Sequence, residues 1–205
     1  MKTTLYIVRH GQTQSNKLEI VMGDSDLPLN LTGEVNAKNV GRKLKELKVK
    51  PDAVYSSVLQ RAAKTADIIA KELNYTKPID RSQELREINY GDIEGISFKQ
   101  ARETIPAYKS KEVNFVFPNG ESYAQLYKRV TKEIERIMSE NQGKTILIVS
   151  HLRPLQCILC HYNKWNLHEE LLNTPSHERI EHEYIGKLTF NGSKFEKYEN
   201  ISEVK

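Results

Sequence analysis

Short apolar runs alternate with longer amphipathic stretches along the chain. Thr4-Leu5-Tyr6-Ile7-Val8 is β-rich and apolar and predicts a buried first strand, broken by Arg9-His10-Gly11. Residues 17–30 predict a loop, with Gly23, Asp24, Asp26, Pro28 and Asn30. Thr32 is suited to cap the next helix, where Val35, Val40 and Leu44 supply apolar positions through Leu47. Ala53 to Ser56 predicts a second strand, and a helix from about Leu59 to Leu73 turns Ala62, Ala66, Ile69 and Ala70 inward. Pro78 to Leu85 predicts a third extended segment. Residues 91–119 are less regular, with a short helix around Phe98 to Ile105 and a turn at Pro118-Asn119-Gly120. Leu126, Val130, Ile134 and Ile137 recur at helical spacing between Ser122 and Glu140. Thr145 to Ser150 reads as a fourth strand. Leu152 to His161 reads as a helix that tolerates Pro154 in its first turn. Residues 183–190 and 195–199 predict a hairpin around Asn191-Gly192.

This alternation predicts an α/β protein with a mostly parallel central sheet. A length of 205 residues fits one domain over 1–205 carrying a small insertion. Polar residues follow the first and fourth strands, at Arg9-His10-Gly11 and Ser150-His151. Ligands of open α/β sheets bind beyond such carboxyl ends.

Hydrophobic residues make up 38% and charged residues 28%, which excludes a disordered chain. The formal charge of +4 is spread among interleaved acids, so no nucleic-acid partner is expected. No apolar run is long enough to span a membrane or lead secretion, which predicts a cytoplasmic protein with no membrane partner. Cys157 and Cys160 share a helix face within an apolar run and read as buried thiols. His177-Glu178 and His182 place their histidines at i and i+5, not the i and i+4 of a zinc helix, so no metal site is expected.

The strongest signal is Ile7-Val8-Arg9-His10-Gly11-Gln12-Thr13-Gln14-Ser15-Asn16. Further along stand Ser56-Ser57 with Leu59, Arg61-Ala62 and Thr65-Ala66, then Leu85-Arg86-Glu87, Gly91 with Glu94-Gly95, and Val149-Ser150-His151. Gly120-Glu121-Ser122 opens the helix before the last of these. Together, in this order, these segments resemble the histidine phosphatase superfamily, also called the phosphoglycerate mutase-like family, from about residue 4 to 152. The resemblance implies a three-layer α/β/α sandwich with a small insertion, about 96–121, forming part of a cap over the site.

It also implies a metal-independent phosphatase needing no cofactor, with His10 as the nucleophile. A neutral imidazole can attack phosphorus directly near pH 7. Arg9 and Arg61 offer permanently charged forks for the phosphoryl oxygens. By resemblance His151 donates to the same phosphate, and Asn16 adds an amide donor. Gly11 would leave room for the phosphate, with Gln12 beside it. Glu87 is implied as the general acid, its pKa raised, although Asp92 or Glu94 remains open for that role. An inward Arg86 would oppose such a shift.

Leu152 stands where many relatives carry glycine. Its backbone N–H remains available to phosphate, but its side chain narrows the approach. Arg153 then puts a charge near the rim, for selecting an acidic substrate or as a surface residue. Thr174-Pro175-Ser176-His177 also departs from the family's small polar stretch. Gly23 either lines the substrate mouth or makes a simple turn. Tyr90, Tyr108, Phe115 and Phe117 are either aromatic walls or core. The expected partner is a small phosphorylated metabolite; the sequence implies no oligomeric state. Phosphoglycerate mutase is the second reading, although residues 96–121 are short for a mutase lid. A phosphohistidine carrier or phosphate-ester sensor is the third.

Overall fold

Period-two alternation divides the apolar side chains of the central strands between two faces. A computed structural model describes residues 1–172 and 180–202. Strands β1 (Lys2–Arg9), β2 (Ala53–Ser57), β3 (Asp80–Ser82), β4 (Thr145–Ser150), β5 (Ile185–Asn191) and β6 (Lys194–Asn200) form one sheet. Its order is β3-β2-β4-β1-β5-β6. The first four pair in parallel, and β5 and β6 add an antiparallel edge. Leu5, Ile7, Ile146 and Ile148 face one core, with Leu126, Val130 and Ile134 of α6 (Tyr123–Glu140) and Leu155 and Ile158 of α7 (Leu152–Asn163). Val8, Val54, Leu147 and Val149 face the other, with Val40 and Leu44 of α2 (Leu31–Glu46) and Ala62, Ala66 and Ile69 of α3 (Gln60–Glu72). The result is the expected α/β/α sandwich. Cys157 and Cys160 are buried thiols.

Several boundaries differ from the sequence reading. Asn30, not Thr32, caps α2: its side chain accepts from Gly33 N–H at 2.8 Å. Thr32 falls inside the first turn and is exposed. Val35 is 52% exposed because it lies about 140° from Val40 around the helix, away from the inward stripe. The extended segment after Pro78 is paired only over Asp80–Ser82, and Gln83–Leu85 then forms a 3₁₀ turn. Two short helices that precede α6 went unpredicted, α1 (Gln14–Lys17) and α5 (Pro106–Ser110). The helix expected near Phe98 is α4 (Phe98–Thr104); Pro106 cannot continue it and starts α5 instead. A last short helix, α8, spans Leu167–Leu172. His177-Glu178 and Thr174 to His177 lie outside the described residues. Among the described residues no helix is long and apolar enough to cross a membrane.

Candidate active site

The β1–β4 register sets the site. Arg9 pairs with Ser150, so the next residues, His10 and His151, emerge side by side at the strand ends. Their ring centroids are 5.0 Å apart, and His10 N–H donates to Ser150 O at 2.9 Å. Beyond β2, the first turn of α3 brings in Arg61, which is fully buried.

Hydrogen bonds fix the tautomers of both histidines. His10 Nδ1 lies 2.7 Å from Gly11 O. A carbonyl only accepts, so Nδ1 carries the proton and Nε2 keeps its lone pair. Arg61 Nε–H donates to His151 Nδ1 at 3.2 Å. That nitrogen accepts, so the proton of His151 sits on Nε2, which is buried without a hydrogen-bond partner among the described residues. Burial and the charges of Arg61 and Arg9 hold His10 well below the usual histidine range; burial, Arg61 and His10 do the same to His151. Both rings are therefore neutral at pH 7.

Arg61 is held by neutral acceptors. Its Nη1 and Nη2 donate to Ser25 O and Gly23 O, each at 2.7 Å. Arg9 Nη1 donates to Ile180 O at 2.8 Å, while its buried Nε has no partner among the described residues. Burial lowers Arg9 to about 10, so it stays cationic.

Glu87 is placed by a clamp that sequence reasoning missed. Ser150 Oγ donates to Leu85 O at 2.7 Å, tying this segment to the end of β4. Arg129 of α6 donates to Glu84 O, Arg86 O and Glu87 O while pairing with Glu121 at 2.6 Å. The Glu87 carboxyl accepts from Ile88 N–H at 3.0 Å, with Arg153 N–H at 3.4 Å. Burial raises its pKa against these contacts and the charges of Arg153 and Arg61. Arg86 turns away to Asp24, at 2.5 Å. The alternative acids are engaged elsewhere. Glu94 accepts from the Asp24, Ser25 and Tyr90 N–H groups, and Asp92 accepts from exposed Asn119.

Arg9, His10, Asn16, Gly23, Arg61 and Glu87 line one cleft of about 490 Å³, its mouth included. Leu152 and Arg153 add to it from α7, and Tyr90 and Tyr108 line it as well. Asn16 Oδ1 accepts from Thr13 N–H as part of the α1 cap, leaving its amide to face the cleft. Phe117 is buried in the core and Phe115 packs partly buried against it.

Three expectations need correction. Gly11 is small because of protein: a Cβ there would come 2.2 Å from Gly33 O, and its N–H is already donated to Thr65 Oγ1. Gln12 does not line the cleft. Its N–H donates to Asn36 and its Oε1 accepts from Asn30. Arg153 is no surface residue, being 8% exposed. Sequence reasoning also missed His182, weighed only within a zinc spacing. Its Nδ1–H donates to His10 O at 2.9 Å, and burial and Arg9 push it down to about 4. No motif marks it; only β5, running beside β1, brings it there.

The profile of the histidine phosphatase superfamily (branch 1) matches residues 5–185. Phosphoglycerate mutase-like protein 4 of Arabidopsis thaliana is 35% identical over 153 residues, covering 72% of this chain but 65% of the plant protein. The uncharacterized phosphatase PhoE of Bacillus subtilis is 31% identical over 157 residues, 77% of this chain and 76% of that protein. The solved structure of Bacillus stearothermophilus YhfR superposes with a TM-score of 0.85 at 26% identity, over 99% of this chain and 98% of that one. By the match over residues 5–185, the chain belongs to the histidine phosphatase superfamily.

Proposed function

We propose that this protein is a metal-independent phosphomonoesterase acting on a small phosphorylated metabolite through a phosphohistidine on His10. One observation carries the reading: the two buried histidines have opposite tautomers, a lone pair on His10 Nε2 and a proton on His151 Nε2. One ring is set to attack phosphorus and the other to donate to a phosphoryl oxygen.

His10 Nε2 forms the bond to phosphorus as the ester P–O bond breaks. Glu87 gives its proton to the leaving oxygen. The Nδ1–H remains on Gly11 O, which stabilises the imidazolium of the phosphohistidine. Arg9 and Arg61 hold the phosphoryl oxygens where charge accumulates. Water then attacks phosphorus, Glu87 takes its proton, the P–N bond breaks and neutral His10 returns. Asn16, Gly23 and Leu152 line the same cleft and would help to enclose the phosphate there. Residues 96–121 act as an insertion within one domain, and Phe98 and Tyr108 from it wall the cleft as part of a cap.

The second reading, a phosphoglycerate mutase, is favoured by the mutase-like name of the 35% identical plant relative. Phosphate release from a panel of phosphomonoesters, with 3-phosphoglycerate and a bisphosphate primer included, tests both. Rapid release is expected, and His10→Ala loses several kcal/mol of barrier lowering, a drop of about 10⁴-fold or more, with the fold intact. Isomerisation with little release makes the protein a mutase. Stable phosphate on His10 without turnover makes it a carrier or sensor. Normal turnover by His10→Ala overturns the mechanism.

A further inference from the structure

The cleft holds a third arginine that phosphate transfer does not use. Arg153 lines it with Arg9 and Arg61, yet among the described residues it makes no ion pair. Its guanidinium partners are neutral. Nη1 donates to Gln156 Oε1 at 2.8 Å and to Leu171 O at 3.4 Å. Gln156 is itself anchored, donating to Glu170 O at 3.0 Å. The Tyr123 ring centroid lies 6.0 Å from Arg153 Cζ. Arg129, by contrast, is matched by Glu121.

A buried charge without a counter-ion is costly, and function is the usual reason to keep one. Glu87 is the nearest candidate partner, but it has to be protonated to serve as general acid. In the reactive state, Arg9 and Arg61 offset a phosphate dianion and Arg153 is left with one unmatched positive charge. We propose that Arg153 selects substrates carrying a carboxylate at the end remote from the phosphate. This rests on the phosphatase reading and names the substrate class for the same cleft.

The geometry suits a carboxylate. A guanidinium fork fits one with two parallel hydrogen bonds, and neutral partners fix the fork without consuming its charge. Lys111 stands behind, its Nζ 3.9 Å from the Tyr108 ring centroid. Burial, Arg153 and Arg102 push it down to about 6, so at pH 7 it adds little charge. The remote end thus matches one negative charge better than the two of a second phosphate.

Two substrate pairs differ only at the carboxylate, which is replaced by a hydroxymethyl group in glycerol 3-phosphate against 3-phosphoglycerate and by hydrogen in phosphoethanolamine against phosphoserine. Calorimetric binding to His10→Ala protein reads recognition without turnover. The carboxylated member of at least one pair is expected to bind about 100-fold more tightly, and wild-type kcat/KM should show the same preference, mainly through KM. Adding Arg153→Met should reduce the ratio to about threefold, and Arg153→Lys, which keeps the charge without the fork, should fall between. Equal binding within both pairs overturns the proposal, whatever the variants do. So does an Arg153→Met loss shared equally by both members. Tighter binding of propane-1,3-diol bisphosphate than of either carboxylate also overturns it, in favour of a second phosphate. Absence of hydrolysis by wild type counts against the phosphatase reading alone, because the binding preference is measured separately.

Discussion

At the scale of single residues, the division of labour follows from burial. One environment depresses the histidines and raises Glu87, because burial disfavours whichever form is charged. Glu87→Gln keeps the shape of the acid but has no proton to give. For esters of aliphatic alcohols its kcat should fall by about 10²–10⁴-fold. For p-nitrophenyl phosphate, whose leaving group needs little protonation, the loss should stay within about tenfold. Steady-state rates on the two ester classes check this, and equal losses move the acid elsewhere. The residues around His10 were legible because their chemistry is contiguous in sequence. Arg129 was not, because it acts on Glu87 through backbone carbonyls that no spacing rule reveals.

Among the elements, the junction of α2 with the loop after β1 carries the tightest contacts. A Cβ on Gly33 would lie 2.1 Å from Gln12 O, and one on Gly11 would lie 2.2 Å from Gly33 O. The two glycines let helix and loop backbones touch, which fixes the chain directly after His10. Gly33→Ala must push them apart and should cost about 1–3 kcal/mol, with a matching loss of activity as His10 loosens. Denaturant unfolding checks the cost. Thr32→Ala next to it should change stability by less than about 0.5 kcal/mol, because Asn30 holds the cap. The same junction shows how far elements could be read from sequence. The stripes of α3 and α6 span several turns and were plain. Asn30 and Thr32 are both competent caps two residues apart, and only the extended backbone at Asn30 decides between them. Helices as short as α1 and α5 leave no periodic stripe to read.

For the whole molecule, alternating strands and helices implied the layers but not the strand order. That order brings β4 and β5 to either side of β1, and so His151 and His182 to either side of His10. Three imidazoles, His10 and His151 buried and His182 partly so, thus share one centre with Arg9 and Arg61, and folding weakens the proton affinity of each. The unfolded chain takes up their protons near the ordinary value of about 6.5, whereas the folded chain resists to lower pH. Their contribution to stability is therefore complete above pH 6.5 and is lost as pH falls toward the folded values. His182 alone, displaced to about 4, accounts for up to roughly 3 kcal/mol of this loss. Glu87 acts in the opposite sense: its raised pKa favours the folded state below the ordinary carboxylate value and costs stability as pH rises past it. It offsets only part of the histidine effect, being one group against three. Denaturant midpoints should fall from pH 8 to about 6 as the unfolded chain alone keeps a proton on Lys111, and go on falling from pH 6.5 to 4.5 through the histidines. His182→Gln should shallow that fall while retaining a neutral amide to donate to His10 O. A wild-type midpoint that stays flat down to pH 4.5 would mean that the histidines accept protons in place, and that the centre is more open to water than its burial indicates.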